Sequence, residues 1–232
     1  MHAHLDHTLN WPPGLPPRLS LRLMPERAAF DPATRTLFIA DVHLGKAAVF
    51  RARGLPVPQG TTTGTLARLS QALDRSQATH LVVLGDFLHA RESQASGTLG
   101  ALSAWRQRHS HVQCLVIEGN HDWHAGRVQS SFDILSSTEP YVHGCLHGVH
   151  HPPDQGLPGV LTLAGHVHPV LHLRSRFDKL RLPAFWLNHG VLTLPAFGEF
   201  TGGFALNPAA HPGSEVFLVG EQVLPLTPKP EH

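Results

Sequence analysis

The sequence predicts an α/β fold with parallel strands at its centre, and two observations support this prediction. Short apolar runs recur between turn-forming residues, as expected of strands that are buried on both faces. Stretches with apolar residues at helical spacing separate these runs. Strands that alternate with helices usually form a largely parallel sheet. At 232 residues and 41% hydrophobic composition, the chain can bury a sizeable core.

Short apolar runs mark the predicted strands. Each is bounded by turn signals and is too short for a typical helix. The first four are LFIA at 37–40, LVVL at 81–84, CLVI at 114–117 and VLTLA at 160–164. Beyond residue 166 the runs LHLRSRF, LRLPAFWL and VLTLPAF follow one another with Pro and Gly breaks. The sheet in that part of the chain is therefore expected to be antiparallel or mixed.

Two helices are predicted between the first three strands, the first of them after threonines that offer N-caps. The residues at helical spacing are Leu66, Leu69 and Leu73 in one helix and Leu99, Leu102 and Trp105 in the other. Residues 1–232 are expected to form one domain. Residues 1–17 and about 207–232 lack strong periodicity and are predicted to be peripheral ends, with VFLVG at 216–220 a candidate last strand.

Composition excludes several classes of protein. The net charge is +1 and the pI about 8.1, so overall charge does not indicate nucleic-acid binding. Two cysteines make no disulfide framework. The N-terminus lacks the pattern of a signal peptide, and no apolar run approaches the ~18 residues of a membrane helix. We therefore expect a cytoplasmic protein without a membrane partner.

Polar side chains follow each of the first four predicted strands. Open α/β sheets bind ligands beyond the carboxyl ends of their strands. Asp, His and Asn are ligands of hard-to-borderline cations, and a buried group of them without a cation would leave costly unpaired polar atoms. The residues are Asp41 and His43, then Asp86 and His89, then Asn120, His121 and Asp122, then His166 and His168. The sequence therefore predicts a metal centre at this edge of the sheet.

The spacing of residues within two of these groups predicts the direction of their side chains. Asp41 and His43 are two residues apart, as are His166 and His168. In an extended segment, residues i and i+2 point to the same side. Each pair is therefore expected to contact a cation from one direction. Gly119 is expected to let the chain turn sharply off the third strand.

The motifs DVH, GD, GNHD and GHVH, in this order over residues 37–169, resemble the motif set of calcineurin-like metallophosphoesterases. The flanking stretches DVHLGKAAVFRARGLPVPQG, GDFLHAR and LPAFGEFTGG are similar to a bacterial clade of that family, the ligase-associated DNA-damage-response endonucleases of the PdeM type. The resemblance implies a four-layer α/β sandwich, with two mixed β-sheets flanked by helices and two divalent metal ions at the strand ends.

Carried over position by position, the resemblance implies a ligand set. Asp86 would bridge the two ions. The other ligands would be Asp41, His43 and His168 for the first ion, and Asn120, His166 and one further histidine for the second. The segment VHGCLHGVHHPP at 142–153 offers that histidine. His150 is favoured and His151 is the runner-up, whereas His143 and His147 are expected to be structural or solvent-facing. Manganese is the metal that the resemblance favours, with iron or zinc possible.

The resemblance also implies roles in catalysis. Two divalent ions can share a hydroxide that attacks phosphorus. His121 would stabilise the transition state or protonate the leaving oxygen, although it could instead be a metal ligand. Asp122 would accept a hydrogen bond from the ring of His121 and fix its tautomer. Arg51, Arg53 and Arg91 follow the metal motifs closely and are predicted to bind substrate phosphates, as is His89, which could instead support the metal ligands from behind. The basic run RSRFDKLR at 174–181 fits either a phosphate contact or a charged strand edge.

These features favour a manganese-dependent phosphodiesterase that cuts single-stranded or flexible DNA in DNA repair. An alternative is a metallophosphatase that acts on phosphomonoesters, cyclic nucleotides or a nucleotide-lipid pyrophosphate. A second alternative is a non-catalytic metal-binding protein. Association with a DNA ligase or helicase is implied by the resemblance alone.

Overall fold

The fold was analysed in a computed structural model that describes residues 5–14, 18–52, 54, 60–126, 128–174, 179–199 and 201–226. Its first sheet has seven strands in chain order. They are β1 (His7–Trp11), β2 (Leu19–Met24), β3 (Ala28–Asp31), β4 (Thr36–Ala40), β5 (His80–Leu84), β6 (Gln113–Ile117) and β7 (Ile134–Ser137). Strands β1 to β4 are antiparallel neighbours, and β4 to β7 are parallel. The predicted parallel centre is confirmed.

The second sheet is mixed, with nine strands among the described residues. They are β8 (Tyr141–His143), β9 (Leu146–Val149), β10 (Leu161–Ala164), β11 (Pro169–Arg174), β12 (Lys179–Asn188), β13 (Val191–Thr193), β14 (Phe204–Ala205), β15 (Glu215–Val219) and β16 (Val223–Pro225). The order is β14-β11-β12-β13-β10-β9-β8, and β15 pairs with both β12 and β16. Strands β9, β10 and β13 are parallel, so their carboxyl ends share one edge.

The α-helices belong to the half of the chain that builds the first sheet. They are α1 (Lys46–Ala52), α2 (Thr61–Ser76), α3 (Ser96–Arg108) and α4 (Asn120–Ala125). Short 3-10 helices lie at Arg91–Gln94, Ser130–Phe132 and Pro208–Ala210. Across the described ranges, no helix combines the length and the apolar character needed to cross a bilayer.

Apolar side chains divide the molecule into layers. Phe38 and Leu84 of the first sheet pack against Leu163 and Phe185 of the second, which forms a core between the sheets. The opposite face of the first sheet is covered by α2 and α3, whose buried residues include Leu69, Leu102 and Trp105. All five residues of β4 are buried because both of its faces are covered, as its continuous apolar sequence predicts.

The outer face of the second sheet has a smaller cover. Leu171, Ala184 and Val216 form a cluster there with Leu206, which follows β14. No α-helix covers this face among the described residues, where strand and loop residues form the outermost layer. The two-sheet sandwich that the sequence predicts is confirmed, with this thinner fourth layer.

The two ends of the chain contribute more to the fold than their lack of periodicity indicates. Strand β1 pairs with β2 and buries Leu9, and the Asp6 carboxylate lies 2.7 Å from the Arg75 guanidinium on α2. At the other end, β15 corresponds to the candidate last strand VFLVG, and β16 follows it. The termini therefore carry edge strands of both sheets.

Candidate active site

The predicted ligand residues lie where the carboxyl ends of the parallel strands of both sheets meet. The loops after β4 and β5 run side by side, with the Asp41 amide donating to Gly85 O at 3.1 Å and the His43 amide donating to Asp86 O at 2.8 Å. The second sheet closes against them, because the His166 amide donates to Asp41 Oδ2 at 2.8 Å. Backbone hydrogen bonds thus fix the loops that carry the polar side chains.

Five of these residues have a left-handed backbone, which is uncommon outside glycine. Such conformations cost free energy and cluster at functional sites. They are Asp41 (φ 54°), His43 (φ 48°), Asp86 (φ 52°), His166 (φ 68°) and His168 (φ 54°). The expectation that the two i, i+2 pairs lie in extended segments is therefore wrong, because the chain turns at each residue as it leaves its strand.

Asp41, His43 and His168 form the first half of the site. The His168 Nε2 atom lies 3.3 Å from Asp41 Oδ1. Asp41 Oδ1, His43 Nε2 and His168 Nε2 are buried without a hydrogen-bond partner among the described residues. Three such atoms within 4.8 Å of one another fit a shared cation, because buried polar groups are otherwise nearly always paired.

Asn120, His150 and His166 form the second half. The His150 Nε2 atom lies 3.0 Å from Asn120 Oδ1 and 3.2 Å from His166 Nδ1. Its Nδ1 atom faces the Leu84 carbonyl oxygen at 3.1 Å, which orients the ring with Nε2 towards the cluster. His151 is exposed, with its ring centroid 4.1 Å from that of His166, and forms a further possible group with His150 and His166.

Asp86 lies between the two halves. Its Oδ2 atom is 3.8 Å from His43 Nε2, and its Oδ1 atom is 3.6 Å from His150 Nε2. Asp86 is 2% exposed, so its carboxylate contacts the site rather than solvent. A carboxylate in this position has one oxygen for each half.

Two glycines permit this close packing. A Cβ atom at Gly85 would overlap the imidazole of His150, and Gly85 also has φ 80°. A Cβ atom at Gly119 would overlap the Asp86 carboxylate, whereas the Gly119 backbone is extended with φ −97°. The expectation that Gly119 serves a sharp turn is therefore wrong, because it is the approach of Asp86 that excludes a side chain.

His121 is held by backbone rather than by Asp122. Its Nδ1 atom lies 2.9 Å from the carbonyl oxygen of His89, and its amide donates to Asp86 Oδ1 at 2.9 Å. The rings of His121 and His89 stack with centroids 4.8 Å apart, and the centroid of His43 lies 5.0 Å from that of His121. This places His121 beside the first half of the site.

The predicted role of Asp122 is wrong. Its two carboxylate oxygens accept hydrogen bonds from the amides of Leu88 and Gly119, each at 3.0 Å. Burial raises the pKa of Asp122 to about 6, although these two backbone hydrogen bonds oppose the shift. Asp122 therefore connects the loops after β5 and β6. The ring of His121 is oriented by the His89 carbonyl instead of by Asp122.

Electrostatics favour a neutral His43. Burial lowers the pKa of His43, and the charges of Lys46 and His168 lower it further. A neutral imidazole keeps the lone pair that a metal ion needs. The His43 Nδ1 atom faces His89 Nδ1 at 3.4 Å, which leaves Nε2 towards Asp41 and Asp86.

The predicted substrate-binding arginines are exposed or fall outside the described residues. Arg51 is exposed in the last turn of α1, and Arg91 is exposed at the start of a 3-10 helix. Arg53 lies outside the described residues. Their roles stay predictions. His89, by contrast, contacts both His43 and His121.

Sequence reasoning missed Lys46 as a candidate functional residue. Burial lowers the pKa of Lys46, whereas the carboxylates of Asp86 and Asp41 raise it, so its ammonium group lies within the field of the site. Its position in DVHLGK, three residues after His43, is the signal that could have identified it.

Comparisons with a family model and with solved structures found the following similarities. The family model described as Calcineurin-like phosphoesterase matches residues 34–207. A solved structure of Pseudomonas putida nuclease MPE is 40% identical, covers 95% of this chain and 100% of its own, and superimposes with a TM-score of 0.81. Yfce, a phosphoesterase from E. coli, is 14% identical over 80% of this chain and 87% of its own, with a TM-score of 0.37. No match was found among curated proteins.

Fold and site together define a metal-dependent phosphoesterase. The chain belongs to the calcineurin-like phosphoesterase family, since that family model matches three quarters of its length. This result confirms the resemblance seen in the sequence motifs, and it does not support the alternative of a non-catalytic metal-binding protein.

Proposed function

We propose that this protein is a manganese-dependent phosphodiesterase that cuts DNA. The observation that carries the proposal is the group of three buried, unpaired atoms, Asp41 Oδ1, His43 Nε2 and His168 Nε2, which fits a cation. The choice of DNA is supported by the 40% identity to a protein described as a nuclease, over 95% of this chain. The family supports phosphoester chemistry without specifying the substrate.

Seven residues would hold the two ions. Asp86 would contact both, because its two oxygens face opposite halves of the site. The others would be Asp41, His43 and His168 for one ion and Asn120, His150 and His166 for the other. When bound, divalent cations supply positive charge to phosphate oxygens and lower the pKa of water.

His121 is the residue that we assign to the leaving group. Its Nδ1 atom is held by the His89 carbonyl oxygen, so Nε2 is the nitrogen left to face the substrate. In this role Nε2 donates a proton to the leaving oxygen while the Nδ1 hydrogen bond keeps the ring in place. Asp122 supports the reaction indirectly, since it connects the loop after β5, which carries His89, to Gly119 at the start of the helix that carries His121.

Cationic side chains around the site would bind the substrate. Lys46, within the field of Asp41 and Asp86, would contact a phosphate oxygen. Arg51, Arg53, Arg91 and His89 remain the substrate-binding residues proposed from the sequence. The guanidinium groups of the three arginines would contact phosphates that flank the scissile one.

Other parts of the proposal rest on resemblance to the ligase-associated endonuclease clade. They are the choice of manganese over iron or zinc, a preference for single-stranded or flexible DNA, a role in DNA repair in the cytoplasm, and association with a DNA ligase or helicase. The Asp, Asn and His ligand set is compatible with each of the three metals.

The test combines metals, substrates and one pair of variants. Metal-free protein is loaded with Mn²⁺, Fe²⁺ or Zn²⁺ and assayed on an aryl phosphodiester, an aryl phosphomonoester, a cyclic nucleotide and plasmid DNA. We expect Mn²⁺ to support hydrolysis of the diester and nicking of DNA. Turnover of the monoester or cyclic nucleotide with intact DNA would contradict the proposed substrate.

The variant pair tests the role of His121. His121→Ala is expected to lower kcat by about 10²–10⁴, the usual contribution of general acid catalysis, with metal content unchanged. His124→Ala, on the exposed face of the same helix, is the matched control and should retain activity. Loss of metal from His121→Ala would instead identify His121 as a ligand.

A further inference from the structure

A polar pocket of about 230 Å³ opens beside the first half of the metal centre. His168 lines the pocket and also lies 3.3 Å from Asp41 Oδ1, so the pocket and the metal centre share a wall. The other charged residues in its lining are Arg27, Arg181 and Glu199. None of these three belongs to the proposed metal ligands.

Positive charge exceeds negative charge around this pocket. The charged side chains that act on Arg27 among the described residues are Arg68, Arg181 and Glu199, so these four groups together carry an excess of two positive charges. The Glu199 carboxylate is 2.5 Å from Arg68 and 3.8 Å from Arg27. It is therefore paired mainly with Arg68, and the positive charges of Arg27 and Arg181 remain under-compensated.

Arg27 shows the effect of this crowding. Burial lowers the pKa of Arg27, and Arg68 and Arg181 lower it further, whereas Glu199 raises it. Like charges held together in a partly buried site are destabilising unless an anion joins them. A phosphate group is such an anion.

The guanidinium groups of Arg27 and Arg181 carry more N–H donors than their contacts with backbone carbonyls use. Among the described residues, Arg27 Nη1 donates long bonds of 3.4 Å to the carbonyl oxygens of Ala196 and Gly198. Arg181 Nη2 donates to the carbonyl oxygens of Gly202 at 2.9 Å and of Thr201 at 3.4 Å. A guanidinium carries five N–H donors, so each side chain can be positioned by backbone and still bind an oxyanion.

The pocket is held rigidly against the metal centre. The Gly198 amide donates to Asp41 O at 3.0 Å, and the Phe197 amide donates to Ala40 O at 2.8 Å. A Cβ atom at Gly198 would overlap the carbonyl of Val42, so this loop packs directly on the segment that carries Asp41. An anion in the pocket would therefore sit at a fixed place relative to the metal ions.

We propose that the pocket between Arg27 and Arg181 binds the phosphate that neighbours the scissile phosphate in the substrate strand. The proposal rests on the proposed function, because it supplies a second phosphate site for the same polynucleotide. Contacts to phosphate carry no base information, so the pocket would position the strand without sequence specificity. It also provides a local positive region in a chain whose net charge is only +1.

The experiment measures binding, so that it does not depend on turnover. Thymidine 3′,5′-bisphosphate carries two phosphates on one sugar, at the separation of neighbours in a strand. Its affinity for the manganese-loaded protein is compared by calorimetry with that of thymidine 5′-monophosphate and of inorganic phosphate. The wild type should bind the bisphosphate about tenfold or more tightly than the monophosphate, as expected for a charge-assisted contact.

Substitutions of Arg181 test whether the pocket produces the preference for the bisphosphate. Arg181 is exposed, so Arg181→Ala should fold, and it should lose the preference for the bisphosphate while binding inorganic phosphate as the wild type does. Arg181→Lys should recover part of the preference, because it restores charge without the planar fork. Arg108→Ala, which removes an exposed arginine paired with Asp74 at 3.4 Å, is the matched control and should keep the preference.

The outcomes separate the two proposals. Equal affinity of the wild type for bisphosphate and monophosphate, or a preference that survives in Arg181→Ala, would contradict the proposed phosphate site. A protein that shows the preference but leaves DNA intact would support the pocket and refute DNA as the substrate. A protein that nicks DNA but binds bisphosphate no more tightly than monophosphate would support DNA as the substrate and refute the phosphate site in the pocket.

Discussion

The two halves of the proposed metal centre differ in burial and in hydrogen bonding. In the first half, Asp41 and His43 are buried, and three ligand atoms lack hydrogen-bond partners among the described residues. In the second half, Asn120 and His166 are exposed, and both contact the His150 Nε2 atom at 3.2 Å or less. A bound cation should therefore stabilise the first half most, because it contacts atoms that otherwise lack partners. In the second half, a cation must replace existing hydrogen bonds.

This difference implies two ions of unequal affinity. The ion beside Asp41 would bind tightly and hold the loops after β4, β5 and β10 together. The ion beside Asn120 would bind more weakly, at the side of the centre that is open to solvent and substrate. Asp86 connects the halves and should be the residue on which both depend.

Replacement of Asp86 should have the largest effect. In Asp86→Ala each half loses the oxygen that faces it, so we expect both metal content and phosphodiesterase activity to fall to background. Metal analysis by mass spectrometry and turnover of an aryl diester provide the readouts. If Asp86→Ala retains both ions, the two halves do not share this carboxylate.

Replacement of Asn120 should affect one half only. Asn120→Ala removes a neutral, exposed ligand, so the protein should keep the ion beside Asp41 and lose the other. Activity should fall by roughly 10²–10³, the range for loss of one charge-stabilising group from an active site. Metal stoichiometry and kcat are measured together. Loss of both ions from Asn120→Ala, as expected of Asp86→Ala, would show that the halves are not separable.

Packing between the halves can be tested with a pair of glycine variants. Gly85→Ala places a methyl group on the His150 ring at a left-handed backbone position, so it should lower the free energy of unfolding by more than about 2 kcal/mol. Gly64→Ala lies in α2 with open space around it, and it should raise this free energy by about 0.5–1 kcal/mol. Urea denaturation measures both. Equal stability of the two variants would contradict the close approach of His150 to Gly85.

The smallest effect concerns burial and ionisation away from the metals. Burial raises the pKa of Cys114 from 9.0 to about 11, whereas Cys145 is only partly buried. The unfolded chain therefore releases the Cys114 proton first, so its contribution to stability is constant below about pH 9 and declines as the pH rises towards 11. Denaturation at a series of pH values should show this decline in the wild type and less of it in Cys114→Ala. Identical pH dependence in both would refute the shift.

The sequence predicted which residues meet but not how they are held. Strands β4, β5, β6 and β10 lie where apolar runs indicate, and parallel strands bring their carboxyl ends to one edge, so Asp41, Asp86 and Asn120 could be grouped from order alone. The left-handed backbone at Asp41 was not foreseen, because it depends on hydrogen bonds to loops that are distant along the chain.

Long-range packing explains why other features of the site could not be predicted from the sequence. Nothing near His150 in the sequence indicates that its ring contacts the Leu84 carbonyl, and nothing near Asp122 indicates that it accepts amides from two loops. The pocket beside His168 also joins Arg27, in the turn between β2 and β3, to Arg181 of the second sheet, which are 154 positions apart in the sequence. Such sites are visible only once both sheets are assembled.

The most direct test of the account is the position of the metal ions. Crystals of manganese-loaded protein, with diffraction data collected at the manganese absorption edge, should show two anomalous peaks, one on each side of Asp86. One peak should contact Asp41, His43 and His168, and the other should contact Asn120, His150 and His166. Peaks elsewhere, or a single peak that leaves Asp86 without a metal contact, would contradict the shared centre.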